Sequence, residues 1–414
     1  METTLKTDKI NEMADDFVND VFMKNFHRLP VVFTKGEGSW LFDGNGKKYL
    51  DFSSGIAVNC LGHNYPPLVN AIAEQAAKCC HVSNYYQSET SKAFAEKLAA
   101  ACAPGGMKNM FLGNSGAEAN EAACKIARKY SLKKYGPGRH TIVTLQGSFH
   151  GRTITMLAAT GQDSFHKDFG PFTEGFTYIP GNDIEALEKA LDAKTVAGLL
   201  LEAVQGESGV RAMSQEFIET AARLCEERDI LLMFDEIQCG LGRTGTFLAF
   251  EQYSYKGKPV KADIVTLAKS LCGGIPAGAV LAGEKAMYVF ETGDHNSTFG
   301  GNPVAAAAGL VVLETINNPS FLAEVSLKGE KIMSAIKEWN LPTVQEIRGC
   351  GLMIAIDIDR DAWPILEAAI ARADTRCCGL LLLSAGQKTL RLLPPYNISD
   401  SEIEQGLKII KELL

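Results

Sequence analysis

Asp263-Ile-Val-Thr-Leu-Ala-Lys269, followed at once by Ser270-Leu-Cys-Gly-Gly-Ile-Pro276, decides the fold of this chain. The apolar run from Ile264 to Leu267 does not alternate with polar residues, so it reads as a strand covered on both faces. The glycines and proline beyond Lys269 form a loop that neither a strand nor a helix continues through. A second run, Ile230-Leu-Leu-Met-Phe234, ends on the acids Asp235 and Glu236 and turns at Cys239-Gly240. Two buried strands thus each deliver one charged group to an edge. A cation and a carboxylate placed in this way require a pocket that holds both or a partner that bridges them.

The same pattern extends outward. From Pro67 to about Thr315, short apolar segments alternate with helical periodicity: Met110–Leu112, His140–Leu145, Phe176–Ile179, Ala197–Glu202, Ile230–Phe234, Ile264–Leu267 and Ala277–Leu281. Continuous apolar strands between helices predict an α/β fold with a large, mostly parallel sheet covered on both faces. Upstream, Val31 to Asn59 alternates apolar stretches with the turn signals Gly36-Glu-Gly-Ser39 and Asp43-Gly-Asn-Gly46, which predicts an antiparallel meander. After Asn317-Asn-Pro319 come a long helix, strands near Val344–Ile347 and Leu352–Ile358, a helix over Ile365–Ala373 and a strand at Thr389–Leu393, an α+β arrangement. The meander is expected to pack on this second unit, because a hairpin by itself is barely stable. The expected division is an N-terminal segment 1–66 contributing to a small domain, a large domain 67–316 and a C-terminal small domain 317–414.

Composition bounds the function. At 414 residues, with 46% hydrophobic and 22% charged residues, the chain is expected to be soluble and globular with more than one core. A net charge of -8 without a basic stripe argues against nucleic acid. Eleven cysteines, an odd number that includes the adjacent pairs Cys79-Cys80 and Cys377-Cys378 and no C-x-x-C, point to a reducing compartment. Glu2, Asp8, Glu12, Asp15 and Asp16 lie where a signal or transit peptide would be apolar or acid-poor, and no apolar run approaches a membrane span. The expectation is a cytoplasmic protein with no membrane partner.

Four further stretches carry chemistry. Gly113-Asn-Ser-Gly-Ala-Glu-Ala-Asn-Glu121 follows a short strand and opens a helix. Ser115 and Glu118 fit a capping box, and Gly116 lets backbone N–H groups converge on an anion such as phosphate. It is neither a Walker loop nor a G-x-G-x-x-G, and taken singly it reads equally as a plain capped helix. In Gly147-Ser-Phe-His-Gly-Arg152, Phe149 suits stacking on a flat ring and Arg152 suits clamping a carboxylate. His150 has no second ligand at metal spacing, so no metal is expected. Glu202-Ala-Val-Gln-Gly-Glu207 places two acids beyond a strand, for which a solvated loop is the default explanation. Ser297-Thr-Phe-Gly-Gly-Asn-Pro303 precedes a helix rich in small residues. All but the last leave the carboxyl ends of predicted parallel strands, where open α/β sheets bind ligands. An aldehyde cofactor with a protonatable ring nitrogen would bridge Lys269 and Asp235.

Together these motifs resemble the class III, ornithine-type aminotransferases, which use pyridoxal 5'-phosphate on the fold type I scaffold. The likeness runs from about Phe33 to the C-terminus. It leans toward the N-acetylornithine branch through Gly36-Glu-Gly38, Asp51-Phe52, Gly55-Ile-Ala-Val-Asn59, Leu61-Gly-His63, Ser83-Asn-Tyr85, Asp168-Phe-Gly-Pro171 and Arg391-Leu-Leu-Pro394. Ser270, Cys272 and Ser208 stand where the family usually has glycine.

The resemblance implies that Lys269 bonds the cofactor as a Schiff base, Asp235 faces its ring nitrogen and Gln238 its phenolic oxygen, while Phe149 covers one ring face. It implies that Ser115, Gly116 and Ala117 hold the phosphate, and that Thr298 reaches the phosphate from the second subunit of a homodimer with shared active sites. Arg152, Glu207, Arg391 and Ser297 are then the substrate-binding set, with Glu207 neutralising Arg391 when the second carboxylate is absent. The implied reaction moves the side-chain amino group of N2-acetyl-L-ornithine to 2-oxoglutarate, giving N-acetylglutamate semialdehyde and glutamate, a step of arginine biosynthesis. Rival readings are a class III enzyme for ornithine, succinylornithine, succinyldiaminopimelate or 4-aminobutyrate, an aminomutase, and a binding protein that has lost catalysis.

Overall fold

A computed structural model of the chain describes residues 22–375 and 378–414. The acidic residues at the N-terminus and Cys377 of the second cysteine pair lie outside the described residues. The chain begins with a meander: β1 (Phe33–Glu37), β2 (Trp40–Asp43) and β3 (Lys48–Asp51), paired antiparallel.

The main sheet has seven strands: β4 (Met107–Gly113), β5 (Thr141–Leu145), β6 (Phe176–Ile179), β7 (Val196–Leu201), β8 (Leu231–Asp235), β9 (Ile264–Leu267) and β10 (Gly278–Gly283). Their order across the sheet is β4-β10-β9-β8-β7-β5-β6. Every pairing between β6 and β9 is parallel, whereas β10 runs antiparallel to both neighbours. All seven predicted segments are strands, which follows from their lack of polar interruption. All six residues of β7 are buried. Alternate side chains feed two cores: Leu199, Leu201, Phe234 and Val265 enter one, and Leu200, Met233, Ile264 and Val280 enter the other. The second core is closed by Ala122, Ala123 and Ile126 of a 20-residue helix, Gly116–Tyr135, that starts just past β4.

The C-terminal part forms a four-stranded antiparallel sheet of Val344–Cys350, Met353–Ile358, Thr389–Leu392 and Leu383–Ser384, in that order. Arg391 sits on an inner strand, opposite Ala355 on one side and Leu383 on the other. A strand that sequence reasoning missed, Gly379–Leu381, pairs parallel with β3 and completes a sheet with the meander. Gly379 allows this approach, since a Cβ there would come within 2.6 Å of the Tyr49 ring. Among the described residues no helix is long and apolar enough to cross a membrane, and no cluster of three metal-ligating side chains occurs.

Candidate active site

The exits of β4, β5, β7, β8 and β9 converge on a cleft of about 470 Å³. Parallel strands point their carboxyl ends the same way, so residues far apart in sequence meet along one sheet edge. The cleft is lined by Ser115, Gly116 and Ala117 after β4, by Phe149 and Arg152 after β5, by Glu202 after β7, by Asp235 and Gln238 at the end of β8, and by Lys269 after β9.

Ser115 caps the long helix, its Oγ accepting from the Glu118 N–H at 3.2 Å. The return half of the expected capping box goes elsewhere: Glu118 Oε2 accepts from the Asn114 N–H at 2.6 Å, one residue before the cap. The reason is local, because the Glu118 carboxylate packs against Gly113, where a Cβ would lie 2.8 Å from Oε2. The N–H groups of Gly116 and Ala117, at the first two helical positions, have no intrahelical acceptor and lie on the cleft wall. A Cβ on Gly116 would collide with Ile237 at 2.8 Å, so glycine keeps this end of the helix close-packed. Two unused N–H groups at the positive end of a 20-residue helix suit an anion.

Lys269 lies in the left-handed region, with φ of 45°, and makes no hydrogen bond or ion pair among the described residues. Burial pushes its amine below the ordinary value of 10.5, against the pull of Asp235, Glu207 and Glu202, with Arg391 helping to lower it. Burial thus favours the uncharged, nucleophilic form of this amine. Asp235 is 2% exposed and fully engaged. Its Oδ2 accepts from Asn120 Nδ2 at 2.7 Å and lies 2.8 Å from His150 Nδ1, and its Oδ1 accepts from the Ile237 N–H at 3.0 Å. Asn120 is fixed in turn, since its Oδ1 accepts from Thr266 Oγ1 at 2.7 Å.

Arg391 and Glu207 do not line the cleft themselves but lie behind Gln238 of its wall: Arg391 Nη1 donates to Glu207 Oε1 at 2.8 Å, to the Gly206 carbonyl at 3.0 Å and to Gln238 Oε1 at 3.1 Å, while its Nε is buried without a partner among the described residues. Gln238 Nε2 donates to the same Glu207 oxygen at 3.3 Å. Burial works against the Glu207 charge, but the Arg391 guanidinium outweighs it and holds this carboxyl below its ordinary range. Glu202 behaves in the opposite way. Burial raises it to about 7, the Asp235 charge adds to that rise, and His150 and two backbone N–H groups only partly oppose it. The exposed Arg152 guanidinium stacks 4.1 Å from the centre of the Phe165 ring and 5.5 Å from that of Phe149.

Ser297 and Thr298 do not line the cleft of their own chain. Ser297 Oγ accepts from Asn114 Nδ2 at 2.9 Å, which ties its loop to the helix cap, and Thr298 faces outward. Sequence reading passed over Asn120 and Phe165 and treated His150 as a failed metal ligand. The Asn120–Asp235 bond joins residues 115 positions apart, so no local spacing announces it.

Pyridoxal phosphate fits these residues: an anion seat at a helix start, a buried carboxylate for a ring nitrogen and an unengaged amine for an aldehyde share one cleft. The family model for aminotransferase class-III matches residues 21–414. Acetylornithine aminotransferase of Caldanaerobacter subterraneus is 43% identical over 395 residues, covering 95% of this chain and 96% of that protein. The solved ornithine aminotransferase from Toxoplasma gondii superposes with a TM-score of 0.90 at 30% identity, covering 100% of this chain and 98% of that one. N-acetylornithine aminotransferase from Stenotrophomonas maltophilia superposes with a TM-score of 0.78 at 38% identity, over 92% and 95% of the two chains. With its strand exits, helix cap and unpaired lysine all falling inside the matched span, the chain belongs to the class-III aminotransferase family.

Proposed function

We propose that this chain moves the side-chain amino group of N2-acetyl-L-ornithine onto 2-oxoglutarate, using pyridoxal phosphate. The observation that carries the reading is the Arg391–Glu207 pair at 2.8 Å, a cation whose neutralising carboxylate can stay for one substrate and leave for another. One reaction partner brings a single carboxylate and a neutral acetylated nitrogen, and the other brings two carboxylates. Arg152 at the mouth of the cleft binds the α-carboxylate of the amino donor or the side-chain carboxylate of 2-oxoglutarate, and Arg391 takes the α-carboxylate of 2-oxoglutarate when Glu207 swings away. With Glu207 in place, the guanidinium is not left buried and unpaired.

When bound, the cofactor supplies a ring that withdraws electrons from the carbon bearing the amine. Asp235, fixed by Asn120, His150 and the Ile237 N–H, would face its ring nitrogen. The Gly116 and Ala117 N–H groups and Ser115 would hold its phosphate, Phe149 would cover a ring face, and Gln238, which donates to Glu207, would reach the phenolic oxygen. Lys269 Nζ, whose charge burial disfavours, would hold the cofactor's aldehyde and, standing on the cleft wall, is the group that would move a proton at the carbon that loses nitrogen.

A homodimer belongs to the same proposal. Tyr85, Tyr86 and Phe299 are 88%, 75% and 63% exposed, a cost that a subunit contact would remove. Asn84 Nδ2 donates to the Ser297 carbonyl at 2.8 Å, linking two parts of this surface, and the neighbouring exposed Thr298 would reach the second subunit's phosphate. The proposal includes the division at residues 66 and 316, supported by the pairing of β3 with Gly379–Leu381, and a cytoplasmic location, supported by the free thiols of Cys79 and Cys80.

The test is a comparison of kcat/KM for N-acetylornithine, ornithine, succinylornithine, succinyldiaminopimelate and 4-aminobutyrate with 2-oxoglutarate. N-acetylornithine is expected to lead. Ornithine leading would overturn the donor assignment and would accord with the higher TM-score of the ornithine enzyme.

A further inference from the structure

Glu202 has no part in the roles given above, yet it is 4% exposed on the wall of the cleft and carries no salt bridge among the described residues. Both of its oxygens are spent on main chain. Oε1 accepts from the Phe149 N–H at 3.0 Å, and Oε2 accepts from the Gly206 N–H at 3.3 Å. These two N–H groups belong to different loops, one bearing Phe149 and Arg152 and the other bearing Glu207. A carboxyl buried without a direct ion pair is costly, so the bonds it makes must hold something worth holding. Gly206 is gripped from the other side as well, because its carbonyl accepts from Arg391 Nη1 at 3.0 Å. A Cβ at Gly206 would collide with the Gln238 amide, so this peptide has no room to shift while Gln238 stays.

We propose that Glu202 is a positioning residue that fixes Gly206, and with it the closed Glu207–Arg391 pair, relative to the Phe149–Arg152 loop, and so sets the discrimination between a monocarboxylate amino donor and a dicarboxylate keto acid. The inference rests on the reading of Arg391 and Glu207 given under the proposed function. Its physical content is an asymmetry. Glutamine at this position keeps one carbonyl oxygen and turns an NH2 group toward the other amide. The longer bond, to Gly206, is the one released, which leaves the Phe149 loop in place and loosens only the closed pair.

The experiment uses holoenzyme of Glu202→Gln and Glu202→Ala beside the wild type, with KM for both substrates and calorimetric binding of glutarate, a dicarboxylate that cannot react. In Glu202→Gln, KM for the amino donor is expected to rise about tenfold, while KM for 2-oxoglutarate and the Kd of glutarate stay level or fall. In Glu202→Ala both loops are freed, so both KM values and the glutarate Kd rise. Equal rises in Glu202→Gln, or none, overturn the proposal, as does unchanged glutarate binding in Glu202→Ala. A wild type that ignores N-acetylornithine sinks the donor assignment instead. The KM comparison is then made with the donor it does use, and glutarate binding reads Glu202 without any donor.

Discussion

Lys269 stands just past the end of a parallel strand with no hydrogen bond or ion pair among the described residues, whereas Arg391 stands inside an antiparallel strand with one nitrogen shared by three acceptors. Lys269 lines the cleft and Arg391 lies behind Gln238 of its wall, and the fold meets the cost of burying the two cations by different routes. Lysine can discharge, and burial lowers its pKa. Arginine cannot, so a carboxylate is stationed beside it, and burial of the pair is tolerable only while that carboxylate or a substitute is present. Under the proposed function the unpaired group does chemistry and the paired group recognises charge.

The sharpest way to break this contrast is to delete the amine. Lys269→Ala is expected to lose turnover by on the order of 10⁵-fold, and borohydride should no longer fix cofactor to the peptide that contains position 269. Residual turnover near wild type would move the covalent role elsewhere. Asp235→Ala should cost about 10³-fold in kcat with weaker cofactor retention on dialysis, because the charge that steadies the ring nitrogen is gone. Normal kinetics in that variant would show that another group serves the ring.

The recognition side predicts smaller and one-sided effects. Arg391→Ala is expected to lower kcat/KM for 2-oxoglutarate by about 100-fold and for the amino donor by less than about tenfold. Equal losses would remove the exchange of partners at Arg391. The smallest effect concerns pH. Because the folded-state pKa of Lys269 is below 10.5, the folded apoprotein binds fewer protons there than the unfolded chain. Stability associated with this site therefore rises with pH between the folded value and 10.5. The difference in Tm between wild-type apoprotein and Lys269→Met should narrow across that window, and a difference independent of pH would mean the amine is charged in the fold.

Much of this contrast was legible in the sequence on the lysine side and little on the arginine side. Runs such as Ile264–Leu267 and Leu231–Phe234 announce buried strands by their unbroken apolar character, and their charged ends announce a sheet edge. The antiparallel setting of β10 was not readable, since Gly278–Gly283 is as continuous an apolar run as its parallel neighbours. Gly379–Leu381 is three residues long and pairs with a strand more than 300 positions away, so neither length nor alternation marks it. The shell around Asp235 was missed for the same reason: Asn120 lies within a helix whose local pattern explains only its burial. Glu202 and Glu207 look alike as acids in a turn, yet neighbours remote in sequence shift one carboxyl up to about 7 and the other below its ordinary range.

The pairing of β3 with Gly379–Leu381 has a consequence for biogenesis. On the ribosome the meander emerges early, yet the segment that covers its edge is made only after more than 300 further residues. At about 5–20 residues per second, that leaves an open strand edge for on the order of tens of seconds. Until its own late segment arrives, that edge stands open to pairing with other polypeptides.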